Sequence, residues 1–323
     1  MEHIIEQFII VFNAVVPAFL LMGLGWLVRR QGLVGDKFFG GLSRLAFVCF
    51  FPTLLFLSVY GADMSSALNP SLVLYFIVSF TALFGLLWAL AARYVEDKQK
   101  VAAFVQAGYR SNYIVLAMAI VVSLMGPEAI APTALLVPFT SVVQTSLAAI
   151  VFTVAGQSGE ISGLERVKGV VIGILKMPMI LGALLAVAVN LVGLSLPVVA
   201  TRGLSGLADL AIPAGLIGIG GIISLEKVRS HLRFAITTTV VKNIVTPIIL
   251  IVPAILLGFR GIELAIIAML GLSPLGAAAY ITAIEMGSER AGEYSASVIV
   301  LSNAVGIFTI VPALTILRVL GLF

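Results

Sequence analysis

Gln106-Ala107-Gly108-Tyr109-Arg110-Ser111-Asn112-Tyr113 places an arginine, a serine and an asparagine in the middle of an otherwise apolar run, Val101–Leu124. A second run, Ile262–Met286, is interrupted at Leu270-Gly271-Leu272-Ser273-Pro274-Leu275-Gly276. Each run is long enough to cross a hydrocarbon core, which takes roughly 20 apolar residues. Pro274 removes a backbone donor and clashes with the turn before it. Gly108, Gly271 and Gly276 loosen the helix further. Open backbone at membrane depth is tolerated only when buried in protein or lining a wet cavity. Two helices broken at matched places are therefore the sequence pointer to a solute site.

Working outward, the rest of the chain is of the same kind. Its 323 residues are 61% hydrophobic and 11% charged, with a mean hydropathy of +1.18. Soluble domains carry about 25% charged residues, so the solvent for most of this chain is membrane lipid. Ten apolar runs are expected as spans: Ile5–Val28, Phe38–Val59, Ser71–Ala92, Val101–Leu124, Ile130–Thr153, Val170–Leu191, Leu204–Leu225, Leu232–Leu257, Ile262–Met286 and Tyr294–Leu317. Period-2 alternation is absent, which argues against a barrel. The first run lacks a basic leader and a small-residue cleavage site, so it reads as a span and not as a cleaved signal. The connections are too short to house a soluble catalytic domain. One cysteine, Cys49, permits neither an internal disulfide nor a cysteine metal cluster. His3 and His231 stand apart at segment ends, and no nucleophile–histidine arrangement exists. No enzyme activity, metal or cofactor is expected, beyond the option of sodium or proton coupling. The net charge of +4 follows topology and is no nucleic-acid footprint.

Lysine and arginine favour cytoplasmic connections. Alternate connections hold Arg29, Arg30, Lys37, Arg93, Lys98, Lys100, Arg166, Lys168, Lys227, Arg229, Arg233 and Arg290; the opposite set holds only Arg202, Arg260 and Arg318. Twelve against three places both termini outside the cell membrane. The halves also resemble each other. At an offset of 161, Pro17 meets Pro178, Pro52 meets Pro213, Asn112 meets Ser273, Gly126 and Glu128 meet Gly287 and Glu289, and Ser141 meets Ser302. Gly41-Leu42-Ser43 finds a copy at Gly203-Leu204-Ser205. Two repeats, 1–160 and 161–323, each with an odd number of spans, must enter the membrane from opposite sides. The expected fold is all-α and integral to the membrane: a five-plus-five inverted repeat with broken spans four and nine crossing.

The chemistry at the breaks favours an anion. Half-helix N-termini offer unpaired N–H groups and a partial positive charge, and Arg110 adds a full one. No carboxylate lies at the centre of either broken span, and Glu285 sits near a helix end. Arg110, Ser111, Asn112, Ser273, Pro274 and Gly276 are the candidate binding residues. Other readings stay open. Arg110 could snorkel or pair with a scaffold carboxylate, and Asn112 and Ser273 could simply bond neighbouring helices. Gln144 and Asn303, mid-span in equivalent helices, could be packing glue. Lys242 and Asn243 lie deep in span eight and Asp209 in span seven; an Asp209–Lys242 pair is one option, a coupling role another. Arg44 and Lys176 are within snorkelling reach of the cytoplasmic surface. Gly215, Gly218, Gly220 and Gly221 suit close helix packing, a sliding surface or a dimer seam.

Gly41-Leu42-Ser43-Arg44-Leu45 leading to Phe51-Pro52, Arg110-Ser111-Asn112 with Gly126 after it, Gln144, Ala211-Ile212-Pro213 into Gly218-Ile219-Gly220, and Ser273-Pro274-Leu275-Gly276 before Ala283-Ile284-Glu285 together resemble the auxin efflux carrier family, in its bacterial branch. The resemblance spans essentially the whole chain. It implies ten spans with both ends outside. It also implies a scaffold of spans 1, 2, 6 and 7 and a transport domain of spans 3–5 and 8–10. A homodimer and elevator-type movement are implied on the same ground. Asn112 resembles the crossover asparagine that contacts the substrate carboxylate in plant members, and Gln144 resembles a glutamine those members carry. Plant members have proline where Ser111 stands, a charged pair in span three that is absent here, and a connection longer than Ala155–Lys168. The resemblance therefore points to a small carboxylate such as malate or malonate, which bacterial relatives are associated with, before an auxin-like acid.

The expected function is a secondary carrier of a small organic anion. The alternative is a sodium- or proton-coupled symporter or exchanger of the superfold shared with bile-acid symporters and sodium–proton exchangers. A non-transporting membrane receptor is a third reading.

Overall fold

The computed structural model describes residues 2–60, 69–154, 172, 178–222, 230–286 and 289–323. Arg166, Lys168, Lys176, Lys227, Arg229, Gly287 and the side chain of Glu285 lie outside the described residues, as does most of the 155–177 stretch. All regular structure among the described residues is helical. Eight helical runs are long and apolar enough to cross a membrane: Glu2–Arg30, Lys37–Tyr60, Pro70–Tyr94, Lys98–Met125, Pro127–Val154, Val198–Gly221, Leu232–Leu256 and Glu289–Val319. The expected sixth span is described only as Pro178–Val192, and the ninth is two short helices.

In chain order the helices are α1 (Glu2–Arg30), α2 (Asp36–Leu45), α3 (Phe51–Tyr60), α4 (Pro70–Tyr94), α5 (Lys98–Tyr109), α6 (Met118–Met125), α7 (Ile130–Val154), α8 (Pro178–Val192), α9 (Val198–Asp209), α10 (Ala211–Ile222), α11 (Leu232–Val240), α12 (Thr246–Leu256), α13 (Gly261–Leu272), α14 (Ala278–Met286) and α15 (Glu289–Val319). π-turns join α2 to α3 at Ala46–Phe50 and α11 to α12 at Val241–Val245. Each ends two residues before a proline, Pro52 or Pro247. A proline inside a helix cannot donate to the carbonyl four residues back and collides with it. A wider turn just upstream lets the helix continue past the ring.

The outside of the bundle is greasy. Phe308, Leu20, Leu74, Val199 and Leu191 are all exposed, Phe308 at 76%. An apolar surface of this kind is stable against lipid and not against water. Inside, Phe76 and Phe80 of α4 meet at a tilt with centroids 4.3 Å apart, and Phe84 meets Tyr109 edge-on at 5.7 Å, fixing α4 against α5.

Glycines set the closest helix contacts. A Cβ on Gly220 would lie 1.8 Å from the Met22 carbonyl oxygen, and one on Gly25 would lie 2.1 Å from that of Ile217. Backbone thus meets backbone between α1 and α10. Gly221 sits on the Phe39 ring, Gly218 on Ser43 and Gly215 on Phe51 and Val115. These four glycines are consumed by packing inside one protomer, which removes them as a dimer seam. Gly182 likewise receives the Pro52 carbonyl. α1 packs on α10, and α3 on α8 and α9. A second group forms around α4, α5 and α7 and around α11 to α15, with α15 also touching α1.

Candidate functional site

The chain leaves the helical path at Arg110, which has φ −77° and ψ 144°, and again at Asn112, with φ −81° and ψ 60°. A π-turn, Tyr113–Ala117, starts the second half, with the Asn112 carbonyl accepting from both Leu116 and Ala117. The ninth stretch opens at Ser273, φ −62° and ψ 129°, and resumes helix at Ala278. The two breaks touch. The Asn112 backbone N–H donates to the Pro274 carbonyl at 2.8 Å, and a Cβ on Gly276 would come within 3.3 Å of Asn112 Cα. That bond explains how the fourth stretch breaks without a proline: an amide freed from its own helix is satisfied by the facing one. Gly108 and Gly271 also serve packing. They lie in the last turns of α5 and α13, where Gly108 admits the Leu87 side chain and Gly271 the Pro247 backbone.

Beside the crossing lies a cavity of about 740 Å³. Its wall is built from the α2 end and its π-turn, the broken segment 110–115, the middle of α7, the start of α8, Ile219 of α10, Gly276 to Ile281, and residues 296–300 of α15. Among the described lining residues none is acidic and two are basic, Arg44 and Arg110.

Arg110 is 7% exposed. Its guanidinium donates to Thr282 Oγ1 at 2.9 Å, and that hydroxyl in turn donates to the Ala278 carbonyl at 2.8 Å. No acidic side chain among the described residues pairs with it. Guanidinium carries five N–H donors in a planar fork, so most of that capacity stays open to a guest. Around it Ser111 Oγ, Asn112 Nδ2 and Gln144 Nε2 are buried, line the same cavity and have no hydrogen-bond partner. Buried polar atoms are nearly always paired. Several left open beside one cationic fork describe a polar cup with an apolar wall, the form of a small-solute site.

A profile described as "membrane transport protein" matches residues 10–314. The chain belongs to that family, the auxin efflux carriers. The family's members are transporters and not enzymes, and this transporter is a multi-pass membrane protein. A protein described as an uncharacterized transporter, from Methanothermobacter thermautotrophicus, is 24% identical over 274 residues, covering 84% of this chain and 88% of the relative.

The transporter brings Arg110, Ser111, Asn112, Gln144 and Gly276 to one cavity wall. Ser273 and Pro274 stand at the crossing but outside the lining. Lys242, Asn243 and Asn303 are buried and outside the cavity lining. Asn243 Nδ2 donates to the Ser302 carbonyl at 3.0 Å. Asn303 Nδ2 donates to the carbonyls of Leu275 and Ile299. Asp209 is exposed at the α9 end, so the buried Asp209–Lys242 pair does not form. Arg44 is exposed and forms part of the cavity lining. Sequence reasoning missed Thr282, the partner of Arg110, because a threonine in an apolar helix carries no signal of its own. It also missed Thr246, whose hydroxyl donates to the Gly108 carbonyl at 2.8 Å.

Proposed function

We propose that this transporter is a secondary carrier of a small carboxylate, bound at the helix crossing by Arg110 and moved by alternating access. The observation that carries the reading is Arg110 itself. It is a buried arginine, unpaired with any described carboxylate, on the wall of a cavity whose described lining has no acid. Burying an unpaired charge at this depth is costly, and a carboxylate guest offsets the cost with charge-assisted bonds. Asn112, Ser111 and Gln144 supply further donors, and the half-helix beginning after Asn112 adds partial positive charge.

The ten-span, five-plus-five reading draws support from the packing. α1 on α10 and α3 on α8 are the same contact under exchange of halves, as are α4 on α5 and α12 on α13. In that reading spans 1, 2, 6 and 7 form the scaffold and the other six the moving part, in an elevator movement within a homodimer. By the positive-inside rule the cavity faces the cytoplasm, with both termini outside the inner membrane. Uptake of labelled malonate, malate and monocarboxylates into proteoliposomes tests the reading. Saturable uptake that Arg110→Gln abolishes supports it, and no flux of any acid from folded protein rejects it.

A further inference from the structure

Arg110 caps the end of α5, yet its hydrogen-bond partner belongs to α14, the second half of the ninth stretch. A helical threonine commonly donates its hydroxyl hydrogen to the carbonyl four residues back, and Thr282 does so to Ala278 at 2.8 Å. With that hydrogen committed, the oxygen has only lone pairs to offer, and it accepts from the Arg110 guanidinium at 2.9 Å. The order is therefore fixed as guanidinium to hydroxyl to backbone. Thr282 is buried and outside the cavity lining, whereas its neighbours Tyr280 and Ile281 belong to the lining. Its hydroxyl reaches the cavity through Arg110 and not directly. The acceptor is itself held in place. One turn before Arg110 on α5, Gln106 Nε2 donates to the Ala279 carbonyl of α14 at 3.0 Å, so α5 and α14 are joined at successive turns. An arginine fork on a long flexible stem binds well only when its angle is set in advance. At the offset of 161, Arg110 matches Gly271 and Thr282 matches Val121, which is apolar and buried. The pair is thus present in one half of the pseudo-symmetry alone.

We propose that Thr282 is the positioning residue of the anion site: by accepting one N–H of Arg110 it sets the angle of the fork, so that the remaining N–H groups meet a carboxylate already oriented. Thr282 touches no substrate and acts through Arg110 alone. What the site needs from position 282 is an acceptor oxygen on a helix, which serine supplies and valine does not. The inference rests on the carboxylate reading of the cavity.

The experiment is calorimetric titration of purified protein with malonate, malate and benzoate, with a melting curve on each sample. Thr282→Val keeps the branched shape and removes the acceptor. It is expected to melt cooperatively and to bind the tightest of the three acids about tenfold more weakly than the parent. Thr282→Ser should restore affinity to within about threefold of the parent, and Thr282→Ala serves in place of valine where that variant does not fold. The deciding readout is a double-mutant cycle with Arg110→Met. Once the fork is gone, Thr282→Val should change affinity by less than about twofold. Parental affinity in Thr282→Val overturns the proposal, as does a serine variant no better than valine. So does a tenfold loss that persists in the Arg110→Met background, since Thr282 then acts without the arginine. If Arg110→Met weakens binding and Thr282→Val does not, the assignment of Thr282 fails and the carboxylate reading stands. If the folded parent binds none of the three acids, the carboxylate reading is rejected and the assignment falls with it.

Discussion

Replacing Arg110 by methionine separates a binding arginine from a structural one. Among the described residues the side chain makes one hydrogen bond, to Thr282, whose hydroxyl keeps its own acceptor at Ala278 when the arginine is gone. Little of the fold therefore depends on it, and a buried cation without a described acidic partner is removed. The melting temperature of the empty protein should stay level or rise. Binding should respond in the opposite sense. A hydrogen bond to a charged group contributes about 1.5–3 kcal/mol, which corresponds to a loss of roughly 10- to 150-fold in carboxylate affinity. Arg110→Lys keeps the charge but loses the planar fork, so its affinity should fall between the two. Calorimetric titration with the best carboxylate, alongside melting curves, gives both numbers. Unchanged affinity, or a fall in melting temperature of more than about 10 °C with affinity retained, would mean that Arg110 is a structural group and the cavity is not its partner.

Asn112→Ala should weaken carboxylate binding by about 1–3 kcal/mol, the cost of one lost buried partner. It should leave the fold intact, because the bond to Pro274 uses the backbone; titration and melting on one sample check both halves. Gly220→Leu should prevent assembly or lower the melting temperature sharply, since its Cβ meets the Met22 carbonyl at 1.8 Å. Gly23→Ala, with nothing within 4 Å, should be neutral or stabilising by up to about 1 kcal/mol. A cysteine placed at Gly35 in a Cys49→Ser background should react with a membrane-impermeant maleimide only from the cytoplasmic side; labelling of intact cells from outside would reverse the topology drawn from the basic residues.

Much of this was legible in the residues because lipid imposes few solutions. Runs of about 20 apolar residues and the one-sided distribution of arginine and lysine need no tertiary knowledge. Pro274 announced its own break. The partner break was legible only as polar residues in a greasy run, since what opens it is a hydrogen bond to a carbonyl 162 positions away. Glycines were ambiguous for the same reason. Gly108 and Gly271 read as helix looseners, and only the folded chain shows that they are also seats for Leu87 and Pro247. Lys242 read as a partner for Asp209 because opposite charges invite pairing, yet a helix end supplied its acceptor. Arg44 read as a snorkelling residue, and only the folded chain places it in the cavity lining as well.

The central claim is that the crossing of the two broken helices binds a carboxylate and carries it across the membrane. Counterflow tests it most directly: liposomes containing the purified protein are loaded with unlabelled dicarboxylate, and entry of the labelled acid is followed. The account predicts a transient overshoot that needs internal acid, is competed by related carboxylates, and vanishes with Arg110→Met while that protein still melts cooperatively. An overshoot of equal size with Arg110→Met, or none with any carboxylate from well-folded parent protein, would contradict it.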